Sequence, residues 1–255
     1  MVKLFEMVKV FNLMDHHRMV IFGYPRCASK LIASFLKQKG YHSHGEWYDT
    51  WTSRMEGAQT VRMAADDQQT RYLKNMENPG RQGYRHLLET MRRHSSINTS
   101  HRKYVITLWH ENVSLFPMMM WQYRDHFWLC PRRNNWDQLI SRMLVWYNRN
   151  PDGETHSSII NIDGAMFSYQ YWKLQQVSAM QDWLVASGRG VLVPFEDAIT
   201  GHLPGMQESL EVTTADQHVN PESLVSNIDE IRELFFTLEK EKHLMGSNMN
   251  MNEIP

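Results

Sequence analysis

The stretch Val20-Ile21-Phe22-Gly23-Tyr24-Pro25-Arg26-Cys27-Ala28-Ser29-Lys30-Leu31 decides the fold. Met19-Val20-Ile21-Phe22 is a short apolar run, the form taken by a strand buried on both faces of a parallel sheet. Gly23 and Pro25 interrupt it. From Ser29 a helical pattern begins, with Leu31, Ile32, Phe35 and Leu36 on one face and Gly40 placed as a stop signal. A strand, a short loop and a helix in that order open an α/β fold.

Such a loop aims several backbone N–H groups at one spot, and the helix dipole adds partial positive charge there, so phosphate or sulfate binds. Here Arg26, the hydroxyl of Ser29 and Lys30 add a charge-assisted clamp, and the small residues Cys27 and Ala28 let the backbone approach an anion closely. The plainer alternative is a βα turn carrying surface arginine and lysine. Taken alone, the loop does not decide between them.

Working outward, strand patterns return at Tyr104-Val105-Ile106-Thr107-Leu108-Trp109 and at His126-Phe127-Trp128-Leu129-Cys130. The second leads through Asn134 and Asn135, both cap candidates, into a helix with Leu139, Ile140, Met143, Leu144 and Tyr147 inside. A polar loop from Asn148 to Gly164 precedes a long helix running to about Ser187. Gly188 stops it, and Val191-Leu192-Val193 gives another buried strand. The alternation predicts a single P-loop-like, three-layer α/β domain over residues 1–255, with a central, mostly parallel sheet flanked by helices. The polar segment from about 42 to 101 reads as an insertion or lid. An amphipathic helix is expected from about Pro221 to His243, followed by a disordered Met/Asn-rich tail over 244–255.

Charge narrows the partners. Lys and Arg total 27 against 28 Asp and Glu, a formal net charge of −1, so no global basic field argues for nucleic acid or a membrane surface. Any anion site must be local. Two cysteines, Cys27 and Cys130, form no disulfide framework and suit a reducing compartment. The first residues break their apolar positions with charges and do not read as a signal peptide, and no stretch reaches the apolar length of a membrane span. A cytoplasmic enzyme is the expectation.

Loop spacing then separates chemistries. A Walker loop needs Gly, four residues, then Gly-Lys-Ser/Thr. Counted from Gly23, this chain offers Ala28-Ser29-Lys30, with the lysine one position late, which disfavours a kinase or ATPase. The arginine that phosphatase loops place after their cysteine falls at Ala33, so Cys27 is read as a small, partly buried filler. A second cationic segment, Pro131-Arg132-Arg133-Asn134-Asn135-Trp136-Asp137-Gln138-Leu139-Ile140-Ser141, leaves a strand and opens a helix. Its arginine pair and the serine two turns on have the makings of a second phosphate clamp; the alternative is a pair of solvated loop charges.

Together the two segments resemble the sulfotransferase family that uses 3′-phosphoadenosine 5′-phosphosulfate (PAPS). Its first loop often reads Gly-x-Pro-Arg/Lys-Ser-Gly-Ser/Thr-Thr, matched by Gly23, Pro25, Arg26 and Ser29. Its second signature sets an arginine eight or nine residues before a serine, the spacing of Arg133 and Arg132 from Ser141. The Arg-Arg-Asn…Gln-x-x-Ser form, with Gln138, looks most like the bacterial trehalose-type members. Gly45-Glu46-Trp47-Tyr48 and Val193-Pro194-Phe195-Glu196-Asp197 resemble further segments of that subgroup, in the same order. The departures are Cys27-Ala28 for Ser-Gly and Lys30 for the second Thr; some heparan-type members carry a basic residue at that last position. The Arg-Lys-Gly segment with which cytosolic members close over the nucleotide has no counterpart here.

The resemblance implies PAPS as donor, a hydroxyl acceptor (a carbohydrate or another small hydroxylated molecule) and in-line sulfuryl transfer. Gly23, Pro25, Arg26, Cys27, Ala28, Ser29 and Lys30 would cradle the 5′-phosphosulfate, with Arg26 the main catalytic charge. Arg132, Arg133 and Ser141 would hold the 3′-phosphate. The implied base is Glu46, then His110, then Glu111. His42, His44 and Glu46 alternate like metal ligands, but no further ligand pair supports a site, and no metal is expected. Trp47, Tyr48 and Trp51 read first as packing and second as a wall for a ring-bearing acceptor. Two competing readings stand beside the enzyme: a non-catalytic sulfotransferase-like binding protein, and a P-loop phosphotransferase.

Overall fold

A computed structural model describes residues 12–46, 103–109, 120–121, 123–147, 159–206 and 221–248. Five strands form one all-parallel sheet: β1 (Arg18–Gly23), β2 (His42–Glu46), β3 (Tyr104–Trp109), β4 (Phe127–Arg132) and β5 (Gly190–Pro194), in the order β2-β3-β1-β4-β5. The α-helices delimited among the described residues are α1 (Ser29–Gln38), α2 (Asn135–Tyr147), α3 (Gly164–Ala186), α4 (Phe195–Ile199) and α5 (Ile228–Asn248).

β1 is central and buried from Met19 to Gly23, as its unbroken apolar run requires of a strand covered on both faces. Successive side chains alternate between two cores. Val20 and Phe22 join Tyr104, Ile106, Trp128 and Cys130 beneath α2, α3 and α5. Met19 and Ile21 join Val105, Leu129 and Val193 beneath α1 and α4. The result is three layers, helix–sheet–helix.

Chain reversals fall where the sequence offers them. Gly40 and Gly188, at φ 85° and 69°, follow α1 and α3 in the left-handed region that glycine enters without a Cβ penalty. Asp163 caps α3, its carboxylate accepting from the Met166 amide at 2.8 Å.

Two boundaries differ from the sequence expectation. Residues 42–46, read as the start of an insertion, are the edge strand β2. His-Ser-His-Gly-Glu has no apolar run to announce a strand, and β2 has β3 as its one strand neighbour, with a register shift between Ser43 and Glu46. The expected tail also begins later, because α5 continues through Asn248 with no proline to stop it. The remainder of the expected insertion and of the tail lies outside the described residues.

Candidate oxyanion site

β1 lies between β3 and β4, and the chain leaves its carboxyl end for α1 on one face while β4 feeds α2 on the other. The crevice at such a reversal of strand order, outside the carboxyl ends, is where open α/β sheets bind ligands. The loop from Gly23 to Ser29 occupies it.

Its backbone is unusual. Among the described residues the only non-glycine positive φ values are in this loop, 71° at Arg26 and 67° at Ala28. Left-handed residues so placed curl successive amides into a concave nest, the geometry that receives anions. Ala28 also stands at the N-cap of α1 and offers no side-chain acceptor to the first-turn amides.

Side chains of α2 and α3 hold the curl. Gln138, 1% exposed, donates from Nε2 to the carbonyls of Tyr24 at 2.9 Å and Pro25 at 3.0 Å. A trans peptide sets C=O and N–H on opposite sides, so turning the Pro25 carbonyl to α2 turns the Arg26 amide away from it. The Tyr24 hydroxyl reaches buried Gln170 Oε1 at 2.5 Å.

Arg26 donates from Nε to Ser141 Oγ at 3.1 Å. Partial burial, then the charges of Arg133 and Arg142, push its guanidinium below its ordinary pKa. Arg133 lies over the Phe195 ring, its guanidinium carbon 4.4 Å from the centroid. Among the described residues no carboxylate pairs with Arg26 or Arg133. Guanidinium groups such as Arg26 and Arg133, unpaired with a carboxylate among the described residues, favour an incoming anion, and their planar forks match its oxygens.

Cys27 is fully buried, and burial pushes its thiol up to about 12. Its sulfur faces the amides of Ser29 and Cys27 and the Ser29 hydroxyl. It fills the inside of the loop, and at neutral pH it is no nucleophile. Ser29, 5% exposed, turns inward, whereas Lys30 is exposed on the first turn of α1.

The arginine pair divides. Arg132, expected at a phosphate, is the last residue of β4 and shares the face of Trp128 and Cys130, toward α3. There its guanidinium binds Asp182 Oδ1 at 2.8 Å, the Ser178 carbonyl at 2.9 Å and Gln181 Oε1 at 3.2 Å. Its donors serve α3 rather than the loop. Arg133, one residue on, faces the loop side. Arg142, coupled to Arg26, is a member that sequence reasoning missed; its place beside Ser141 on α2 was the available signal.

Glu46 ends β2 and is described by its backbone alone, and His110, Glu111, Trp47, Tyr48 and Trp51 lie outside the described residues. Among the described residues no cluster of three His, Cys, Asp or Glu side chains is arranged to hold a metal, and no helix is long and apolar enough to cross a membrane.

Fold and site together define an α/β protein with a cationic loop at the carboxyl end of its central strand. No family model matches the chain, and no curated protein matches it. Among solved structures it is similar to shikimate kinase from Bacteroides thetaiotaomicron, at 10% identity and a TM-score of 0.44, over 86% of this chain and 97% of that one.

Proposed function

We propose that the chain is a sulfotransferase-like enzyme that binds a phosphosulfate nucleotide at the Gly23–Lys30 loop and transfers its sulfuryl group to a hydroxyl acceptor. The observation that carries this reading is the gathering of Arg26, Arg133 and Ser141 beside a loop whose backbone is left-handed at Arg26 and Ala28. Arg26, with the loop amides that do not face the Cys27 sulfur, would hold the 5′ end, and Arg133 with Ser141 the 3′-phosphate. Charge gathers on the leaving oxygen in such transfers, and fixed donors that need no reorganisation stabilise it. Glu46 is the proposed base and His110 its alternative. Lys30 stands where a Walker loop places the hydroxyl that binds magnesium, and an ammonium binds no cation, so the reading requires no metal at the loop.

The same fold and loop position serve ATP, and guanidinium forks do not distinguish phosphoryl from sulfuryl oxygens. Magnesium-dependent phosphotransfer is therefore the second reading. Calorimetry separates the two. The first expects 3′,5′-adenosine bisphosphate to bind without magnesium and to bind at least tenfold more weakly, about 1.4 kcal/mol, to Arg26→Ala and to Arg133→Ala. No binding at millimolar nucleotide would sink it, and ATP binding that requires magnesium would establish the second. Transfer from labelled PAPS then distinguishes an enzyme from a binding protein.

A further inference from the structure

The loop and Arg133 stand on two different strands, and the backbone ladder does not fix the distance between them. β1 and β4 pair through Met19↔Phe127, Val20↔Trp128 and Ile21↔Leu129, where the register ends. Pro131 has no N–H with which to extend it. Beyond that point a side chain of α3 bonds to both strands. Gln181 Nε2 donates to the Phe22 carbonyl at 2.8 Å and to the Pro131 carbonyl at 3.1 Å.

Gln181 lies on α3, is 2% exposed and belongs to none of the loop motifs. A primary amide has two N–H donors and one acceptor oxygen. Both donors are spent on the two strands, and the oxygen accepts from Arg132 Nε at 3.3 Å and Nη2 at 3.2 Å. Arg132 is itself anchored to Asp182 and Ser178, which prevents the amide from turning over. Phe22 immediately precedes Gly23, and Pro131 stands two residues before Arg133. The strand ends are also in close apposition, since a Cβ on Gly23 would come within 3.1 Å of Pro131 Cγ.

We propose that Gln181 is a positioning residue that sets the span between the Gly23–Lys30 loop and Arg133, and thereby favours ligands with two separated anionic groups over ligands with one. The inference rests on the proposed binding of a nucleotide with two such groups. Gln181 touches no ligand; it acts through the two carbonyls.

The test compares the full chain with Gln181→Met, which keeps the length of the side chain and removes its donors. Calorimetry with 3′,5′-adenosine bisphosphate and with 5′-AMP is expected to show about a tenfold loss for the bisphosphate and less than about a twofold loss for 5′-AMP. A merely structural residue weakens both alike, so equal losses, or no loss for either, overturn the proposal. Should the unsubstituted chain bind neither nucleotide, the reading of function fails and hydrogen exchange decides on Gln181 alone. The expectation is faster exchange in Gln181→Met at residues 22–28 and 132–134 with 19–21 unchanged; unchanged exchange at both strand ends overturns it. If Gln181→Met does not fold, Arg132→Met, which frees the amide from its anchor, carries the same comparisons with smaller effects in the same direction.

Discussion

Arg26 and Ser141, 115 residues apart in the chain, are joined by a 3.1 Å hydrogen bond from the guanidinium Nε to the serine Oγ. The bond ties the loop after β1 to the helix after β4, so the two segments that the resemblance assigns to the two ends of one nucleotide are in direct contact. It uses Nε and leaves the terminal nitrogens of Arg26 for an anion.

Ser141→Ala is accordingly expected to weaken binding of 3′,5′-adenosine bisphosphate less than Arg26→Ala does, the first by several-fold and the second by roughly 10- to 100-fold, since a hydrogen bond to a charged group is worth about 1.5–3 kcal/mol. In a double-mutant cycle measured by calorimetry the two losses should fall short of additivity by about 0.5–1 kcal/mol, no more than the Ser141→Ala loss itself. Additive losses would show that the contact does not shape the site.

Ala28 pays for its left-handed backbone, at φ 67° and ψ 18°. An L-residue with a Cβ is disfavoured there by roughly 1–2 kcal/mol, part of which glycine returns through its freer unfolded chain. Ala28→Gly should therefore raise the urea midpoint by the equivalent of about 0.5–1 kcal/mol, and Ala28→Val should lower it by more. A loss of stability in Ala28→Gly would mean that the methyl group contributes packing that outweighs the backbone term.

The two thiols make stability depend on alkaline pH. Burial raises both Cys27 and Cys130 from 9.0 to about 12. The folded chain keeps these protons while the unfolded chain releases them, so the contribution is complete below pH 9 and is lost as pH rises toward 12. The slope is about 1.4 kcal/mol per pH unit for each thiol in that window. Urea denaturation at pH 8 and pH 10 should show a smaller decline for Cys27→Ala and for Cys130→Ala than for the unsubstituted chain. Identical declines would mean that neither thiol is buried in this way.

The outline of the fold is legible in the sequence because hydrophobic burial writes it there. Met19–Phe22, Tyr104–Trp109 and Val191–Val193 are apolar runs, and each is a strand between two cores. β2 leaves no such mark, since an edge strand needs only backbone partners. The separate directions of Arg132 and Arg133 were also hidden. They depend on β4 reaching two residues past its apolar run, which puts Arg132 on the α3 face. Gln170 and Gln181 read as ordinary polar positions and Gln138 only as part of the resemblance, and only the folded arrangement shows their amides holding the loop and the strand ends.

Gly23 gives the sharpest test of how tightly the loop is folded on itself. A Cβ at this position would lie 2.8 Å from Cys27 Sγ and 3.1 Å from Pro131 Cγ, and neither neighbour can leave without moving the loop or the end of β4. Gly23→Ala should cost about 1–3 kcal/mol in urea denaturation, the usual range for overpacking a filled interior. The two obstacles are separable. Cys27→Ala removes the sulfur and leaves Pro131 in place, so Gly23→Ala should cost less in the Cys27→Ala background than in the unsubstituted chain, but still cost something. An equal cost in both backgrounds would place the conflict wholly at Pro131, between β1 and β4. Complete relief by Cys27→Ala would place it wholly inside the loop, and the thiol would then be what prevents the anion cradle from closing further.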